Sequence, residues 1–303
     1  MNLKSLDILS KNLKGKLRFD YSVKNHTWFN IGGISKIFFV PETLIELRNF
    51  LLYLKKENDN FFIIGAGSNL LISENIQNRI FIKLGKNFNK ISLTKDNIII
   101  VGCSILDKNV SDFACKNHLG GLEFLSCIPG TIGGGIRMNS GCFGTEFKDI
   151  LLSVQVMDFN GGVYTINAKD INFGYRKTNL PKNLIFLSAS LKTSKKNRTE
   201  IEETIEKLKK KKENSQPTRV KTGGSTFKNP KDQTDKKVWE LIKQNVDETV
   251  SFGGAKISDK HSNFFINSKD ASFENMYDLI NFVKSQVKKK TGISLELELE
   301  IVK

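Results

Sequence analysis

The stretch spanning residues 120–144, GGLEFLSCIPGTIGGGIRMNSGCFG, constrains this chain more than any other, because it places eight glycines in twenty-five residues. Glycine takes φ > 0 freely and lets a backbone approach a ligand closely, and each one costs folding entropy. Pro129 leads into Gly130-Thr131-Ile132 and then a Gly133-Gly134-Gly135 run. A flexible linker is the alternative, but linkers are polar, and Leu122, Phe124, Leu125, Ile128, Ile132 and Met138 interleave these glycines. The pattern predicts a backbone surface shaped to lie against a large flat or phosphorylated ligand.

At 303 residues and 39% hydrophobic, the chain can hold two or three domains and a sizeable core. No apolar run approaches the ~18 residues of a membrane span. Residues 1–16 are amphipathic rather than a signal-peptide core, so a cytoplasmic protein is expected. Cys103, Cys115, Cys127 and Cys142 lack CxxC spacing and read as reduced, mostly buried thiols. With only His26, His118 and His261 available, no metal site is expected. The net charge of +15 raises nucleic acid as a partner, but the excess is forty lysines against seven arginines, spread along the whole length. Arginine is the residue that forks onto phosphates and guanine edges, so a basic cleft for an anionic small molecule fits equally well.

Residues 1–24 are lysine-rich with scattered Leu and Ile, which suggests a short helix and lead-in. Ile37-Phe38-Phe39-Val40 reads as a strand closed by Pro41, and Leu44, Leu47, Leu51 and Leu54 recur at helical spacing. Phe61-Phe62-Ile63-Ile64 reads as a buried strand running straight into Gly65-Ala66-Gly67-Ser68-Asn69-Leu70-Leu71-Ile72. A Rossmann fingerprint needs a third glycine opening a helix; here the chain returns to strand, so that fold is not assigned. The turn can still offer consecutive N–H groups as a nest for a diphosphate, or be a tight surface turn.

Further strands are expected at 98–101 and 184–191, a helix at 106–118, and a hairpin around Asn160-Gly161-Gly162. Thr199 and Glu202 have capping-box spacing, opening a helix that turns Ile201, Ile205 and Leu208 inward and ends on lysines 209–212. Residues 219–230, RVKTGGSTFKNP, form a second glycine-rich turn. Helices are expected around Trp239 and over 273–290. The chain closes on an alternating run, with Leu295, Leu297, Leu299 and Ile301 against Glu296, Glu298 and Glu300, which reads as a half-buried strand with an acidic face.

Asn30-Ile31-Gly32-Gly33, GAGSNLL, PGTIGGGIRMNSG, FGYR, GGSTFKNP, KHSNFFIN and the terminal Leu295-Glu296-Leu297-Glu298 occur in that order over nearly the whole chain. Together they resemble the UDP-N-acetylenolpyruvoylglucosamine reductase family, flavoenzymes that make UDP-N-acetylmuramate for bacterial peptidoglycan. The resemblance implies an α+β fold: an FAD-binding domain of the vanillyl-alcohol-oxidase/p-cresol-methylhydroxylase type, in two subdomains at 1–85 and 86–198, then a smaller α+β substrate-binding domain at 199–303. The last strand is a candidate to return to the FAD domain. FAD is the implied cofactor, NADPH the hydride donor and UDP-N-acetylglucosamine enolpyruvate the substrate, with a monomer expected.

Carried over by position, Gly65, Ala66, Gly67, Ser68, Asn69 and Leu70 would hold the FAD pyrophosphate. Ser126, Pro129, Gly130, Thr131, Ile132, Gly133, Gly134 and Asn139 would line the rest of the cofactor. Arg176, Ser225 and Glu298 match the catalytic arginine, proton-donor serine and glutamate; spacing alone does not choose Glu298 over Glu296 or Glu300. Tyr175, Lys228, Asn229 and His261 are the implied substrate contacts, and Lys221, Lys256 and Lys260 are further phosphate candidates by position. Gly135 and Ser140 stand where alanine is commoner. Lys243-Gln244-Asn245-Val246-Asp247 replaces an Ala-Gly-Leu pattern, and the tyrosine-bearing insertion of the longer family type is missing. The rival readings are a flavin oxidase of small alcohols on the same fold and a non-catalytic nucleic-acid-binding protein.

Overall fold

A computed structural model describes residues 13–303. Its contacts group the chain into two compact units. One holds residues 13–19, Lys36–Ala66 and Arg79–Lys210; the other holds Asp20–Ser35, Gly67–Asn78 and Lys211–Lys303.

The first strands are β1 (Lys16–Ser22), β2 (Ile34–Val40), β3 (Phe61–Ile63), β4 (Leu70–Ile72) and β5 (Ile80–Ile82); β2, β3 and β4 fall on the runs read as strands, β1 and β5 were not expected, and β4 belongs to the second unit. β2, β5 and β3 are parallel, in the order β1-β2-β5-β3. Continuous apolar runs are what a parallel sheet covered on both faces requires, and Ile37, Phe39, Ile80 and Ile82 are buried accordingly. The helix Leu44–Lys56 connects β2 to β3 and turns Leu47, Phe50, Leu51 and Leu54 inward. It opens on a capping box: Thr43 Oγ1 accepts from Glu46 N at 3.1 Å, and the Glu46 carboxylate accepts from Thr43 N at 3.1 Å.

A second sheet, in the first unit, adds β6 (Ile91–Leu93) and β7 (Ile99–Gly102) in the order Val163–Asn167, Leu151–Met157, Ile185–Leu191, β7, β6, antiparallel throughout. Val101, Val110, Ile132, Ile136, Phe147, Val154 and Val156 make its core. The second unit is built on an antiparallel sheet in the order Thr222–Ser225, His261–Asn267, Ala255–Ser258, Ser251–Phe252. The helices Val238–Asn245 and Phe273–Thr291 bury Leu241, Ile242, Met276, Ile280 and Val283 in one core with Phe227 and Phe265.

Four local expectations are corrected. The lead-in helix falls partly on residues 1–12, outside the described residues, and residues 16–22 form β1. Thr199 does not cap its helix: the helix is Arg198–Ser215, Asn197 Oδ1 accepts from Thr199 N at 2.9 Å, and Glu202 pairs with Arg198 at 2.8 Å. The glycine run contains a helix, Ile132–Met138, where no helix was expected. The terminal alternating run is a strand only over Glu300–Val302, parallel to β4, with one isolated bridge from Leu297 to Phe227 before it.

Candidate active site

The glycine-rich stretch is held by main-chain bonds to the segment after β7. Gly133 N donates to Cys103 O at 2.8 Å, Ile132 N to Ile105 O at 3.0 Å, and Asp107 N to Gly130 O at 3.1 Å. Thr131 caps the Ile132–Met138 helix, its Oγ1 accepting from Gly134 N at 3.3 Å. Asn139 ends the helix at φ +41°, a left-handed position that Asn tolerates better than most residues. Ile132 and Ile136 face inward, while Gly134 stays exposed, with nothing nearer to a Cβ placed there than Thr131 Oγ1 at 3.5 Å. Gly135 is the opposite case: a Cβ there would lie 2.1 Å from the buried ring of Phe147. The ring fills the space that alanine would need, which accounts for this departure from the family pattern.

The turn after β3 lies against the same element. A Cβ on Gly65 would sit 2.7 Å from Thr131 Oγ1. Gly67 has φ +69°, and a Cβ there would meet His26 O at 1.8 Å. Glycine is obligatory at both, for clearance at Gly65 and for clearance and φ at Gly67. Within the first unit, Gly65, at the start of one stretch assigned to FAD from the sequence, meets Thr131 of the other at the carboxyl end of a parallel sheet, where ligands of open α/β sheets bind. The N–H groups of Ile132, Gly133 and Gly134 are already taken within the protein, so it is the amides of the glycine turn that suit a diphosphate. The site thus fits the expected cofactor. Two groups the sequence reading did not single out border it. Lys83, just past β5, donates from Nζ to Gly65 O at 2.5 Å. Asp107 is wholly buried beneath Gly130, whose Cβ would lie 2.7 Å from Asp107 Oδ2; neither carboxylate oxygen has a hydrogen-bond partner, and burial pushes this carboxyl well above the usual carboxylate range.

Arg176 occupies a left-handed turn position, φ +55°, in the short hairpin between Phe173-Gly174 and Lys177-Thr178. Its Nη2 donates to Gly141 O at 3.1 Å, and Nη1 lies 3.9 Å from Glu146 Oε1. The guanidinium stands 5.2 Å from the Tyr175 ring centroid. At 18% side-chain exposure it is sheltered yet reachable, and a guanidinium stays charged there and can meet a carboxylate bidentately. Glu146 and Gly174 are tied together by the Asn139 amide, whose Nδ2 donates to Glu146 Oε2 at 3.0 Å and Gly174 O at 3.1 Å while Oδ1 accepts from Lys148 N at 3.0 Å. Asn139 is fully buried, so its side chain organises the arginine's surroundings.

In the second unit Ser225 ends the strand Thr222–Ser225 and pairs with Phe264. A Cβ on Gly223 would strike Phe29 and Leu299 at 2.5 and 2.6 Å, and Gly224 has φ +80°. The first glycine admits the core and the second turns the chain, which fixes where Ser225 emerges. The next residues lie along the terminal segment: Glu298 N donates to Thr226 O at 2.9 Å, and Lys228 N to Glu296 O at 2.9 Å. Asn69 holds the other side, Nδ2 donating to Glu298 O at 3.0 Å and its carbonyl accepting from Glu300 N at 3.0 Å. Glu298 is therefore bonded through main chain to Thr226, the residue that follows Ser225. Glu298 is half-buried where Glu296 is exposed, a distinction that alternation could not make.

Asn229 Oδ1 accepts from Val238 N at 3.0 Å, fixing the start of that helix, and Lys228 Nζ lies 3.6 Å from Glu296. His261 Nδ1 accepts from Asn263 N at 3.2 Å, and burial holds the imidazole below its ordinary pKa. With Nδ1 accepting, the neutral imidazole carries its proton on Nε2, which leaves Nε2–H as a donor. Lys256 pairs with Asp259 and Lys260 donates to Glu213 O; among the described residues Lys221 alone of the four lysines has no such partner. The four cysteines are free thiols, three of them buried. The described residues include no group of three potential metal ligands and no helix long and apolar enough to cross a membrane. A cleft of about 520 Å³ in the first unit, lined by Gly121, Phe124, Phe143, Lys192 and Leu208 among others, includes none of the expected site residues.

Comparison with known proteins agrees with this geometry. Residues 35–167 match the FAD binding domain family, and residues 216–302 match the C-terminal domain of UDP-N-acetylenolpyruvoylglucosamine reductase. The UDP-N-acetylenolpyruvoylglucosamine reductase of Pelagibacter ubique (strain HTCC1062) is 54% identical over 305 residues, covering 100% of both chains. That of Rickettsia conorii (strain ATCC VR-613 / Malish 7) is 41% identical over 288 residues, covering 95% of this chain and 96% of its own. The crystal structure of UDP-N-acetylenolpyruvylglucosamine reductase from Thermus caldophilus superimposes with a TM-score of 0.81 at 27% identity, covering 96% of this chain and 100% of that one. The expected α+β fold, an FAD-binding domain followed by a smaller domain, is borne out. With full-length similarity at this level, the chain belongs to the UDP-N-acetylenolpyruvoylglucosamine reductase family.

Proposed function

We propose that this chain is an FAD-dependent oxidoreductase that uses NADPH to reduce the enolpyruvyl ether of UDP-N-acetylglucosamine enolpyruvate to UDP-N-acetylmuramate, a step of peptidoglycan precursor synthesis. The 54% identity to the Pelagibacter ubique reductase over the full length supports the activity. The observation that carries the residue assignment is that Thr226, the residue after Ser225 and the Gly223-Gly224 turn, accepts from the main chain of Glu298. FAD, when bound, accepts hydride from NADPH and supplies it to C3 of the substrate's double bond.

The protein's part is electrostatic and protonic. Negative charge arising at C2 and the adjoining carboxylate is met by Arg176, whose pose is preset by Gly141 O and Glu146; a preorganised donor of this kind contributes about 3 kcal/mol or more. Ser225 gives its hydroxyl proton to C2, which is acceptable for so weak an acid only beside a strongly basic enediolate. Glu298 orients that donor or shares the proton. Tyr175, Lys228, Asn229 and the Nε2–H of His261 contact the substrate. Gly65 to Leu70 hold the FAD diphosphate, and Ser126, Pro129 to Gly134 and Asn139 form and support the remaining cofactor surface.

Residues 1–85 and 86–198 are proposed as the two halves of the FAD domain and 199–303 as the substrate domain. We also infer a cytoplasmic monomer that serves cell shape and division through the cell wall and binds no nucleic acid. The reading is tested by anaerobic absorbance titration. NADPH bleaches the bound flavin and the enolpyruvyl sugar restores its colour; bleaching without return overturns the substrate assignment.

A further inference from the structure

Lys83 differs from both lysines in the strands of the first sheet: Lys16 is exposed, and Lys36 is paired. Lys36, in β2, has a carboxylate partner, Asp59, at 3.5 Å. Lys83 has none among the described residues, and its only polar contact there is the Gly65 carbonyl at 2.5 Å. Its backbone is fixed at the carboxyl end of β5, where Lys83 N donates to Phe39 O at 2.9 Å and Ile82 O accepts from Ile64 N at 2.9 Å. β3 and β5 are parallel, so the side chain crosses from the end of one strand to the glycine turn leaving the other. Burial alone lowers its pKa; no nearby acid raises it. A half-buried ammonium without an anion is unfavourable, and a structural lysine here would be expected to have an acid beside it, as Lys36 does.

We propose that Lys83 is the fixed counter-cation of the FAD diphosphate, holding the Gly65 turn from beneath and supplying the positive charge that the turn's amides lack. The proposal rests on the reading that this turn holds the diphosphate. Because the Gly65 carbonyl orients Nζ, the charge is in place before the cofactor arrives. The sequence gives no hint of it, since one lysine among forty has no local signature.

The test is fluorescence titration of the full-length apoprotein with FAD and, separately, with riboflavin, which lacks the diphosphate. Lys83→Gln keeps a donor for Gly65 O but removes the charge; Lys83→Arg keeps the charge. FAD affinity should fall by about tenfold or more in Lys83→Gln and Lys83→Met, the effect of losing a charged hydrogen-bond partner, and stay within about threefold in Lys83→Arg. Riboflavin affinity should not change. Wild-type FAD affinity in Lys83→Gln, or equal loss for FAD and riboflavin, overturns the proposal and leaves Lys83 a support of the turn. Ala66→Asp, which puts a negative charge into the turn, separates the two claims. If it leaves FAD affinity unchanged, the diphosphate lies elsewhere and the underlying reading fails; if it abolishes binding while Lys83→Gln does not, only the role of Lys83 fails.

Discussion

Asp107 shows how much of this site depends on groups that never meet solvent. Its carboxyl lies under Gly130 with both oxygens unpartnered, near the Cys103 thiol, which burial and then the Asp107 charge push upward. Its pKa is raised on folding, so the native state holds a proton that the unfolded chain releases. The sign follows: the stability of the protonated form is fully present below the unfolded pKa of about 4 and is lost as pH rises toward the folded value, by about 1.4 kcal/mol per unit between the two. Asp107→Asn cannot ionise. Its melting temperature relative to the native protein should therefore climb between pH 4 and pH 8; a constant difference would show that folding does not raise the pKa of Asp107. Nothing in the sequence marks Asp107, because an acid opening a helix is ordinarily a favourable exposed residue. Arg176, Ser225 and Glu298 were singled out only through collinear motifs; Glu146 beside Arg176, Thr226 next to Ser225 and Asn69 against the Glu298 main chain fix their surroundings.

Elements set by hydrophobic period were legible and those set by tertiary contact were not. The helix Leu44–Lys56 announces itself by spacing and the strands Ile34–Val40 and Ile185–Leu191 by their apolar runs, whereas Ile80–Ile82 was not foreseen. The helix Ile132–Met138 does not, since three consecutive glycines have the poorest helix propensity short of proline. It forms because Thr131 caps it and Ile132 and Ile136 are buried. The terminal alternation misled in the other direction: Leu295 and Leu299 are buried, but most of the run is fastened by single bonds to Thr226 and Asn69 rather than by a ladder. At this scale Gly135→Ala should destabilise the protein by about 1–3 kcal/mol through overpacking against Phe147. Adding Phe147→Leu should recover part of that loss in a thermal melt. Full stability of Gly135→Ala alone would mean the ring yields freely.

The whole molecule is less linear than its sequence suggests. The second unit gathers Asp20–Ser35 and Gly67–Asn78 with the last third of the chain, so β4 finds its partner in Glu300–Val302, some 230 positions later by register. Nothing local in the periodicity encodes such pairing; the last strand could be named a candidate to return to an earlier part of the chain, but not given a partner. The arrangement also explains why the GAGSN motif serves two purposes: Gly65 abuts the Thr131 cap in the first unit, and Asn69 clamps the Glu298 main chain in the second. The central claim is that Ser225, so held, protonates the product carbon and takes no part in the other half-reaction. The most direct test is anaerobic stopped-flow absorbance of Ser225→Ala, following flavin reduction by NADPH and then reoxidation by UDP-N-acetylglucosamine enolpyruvate. Near-native reduction with reoxidation slowed by about a thousandfold or more is the expected result; equal slowing of both half-reactions, or unimpaired reoxidation, would contradict it.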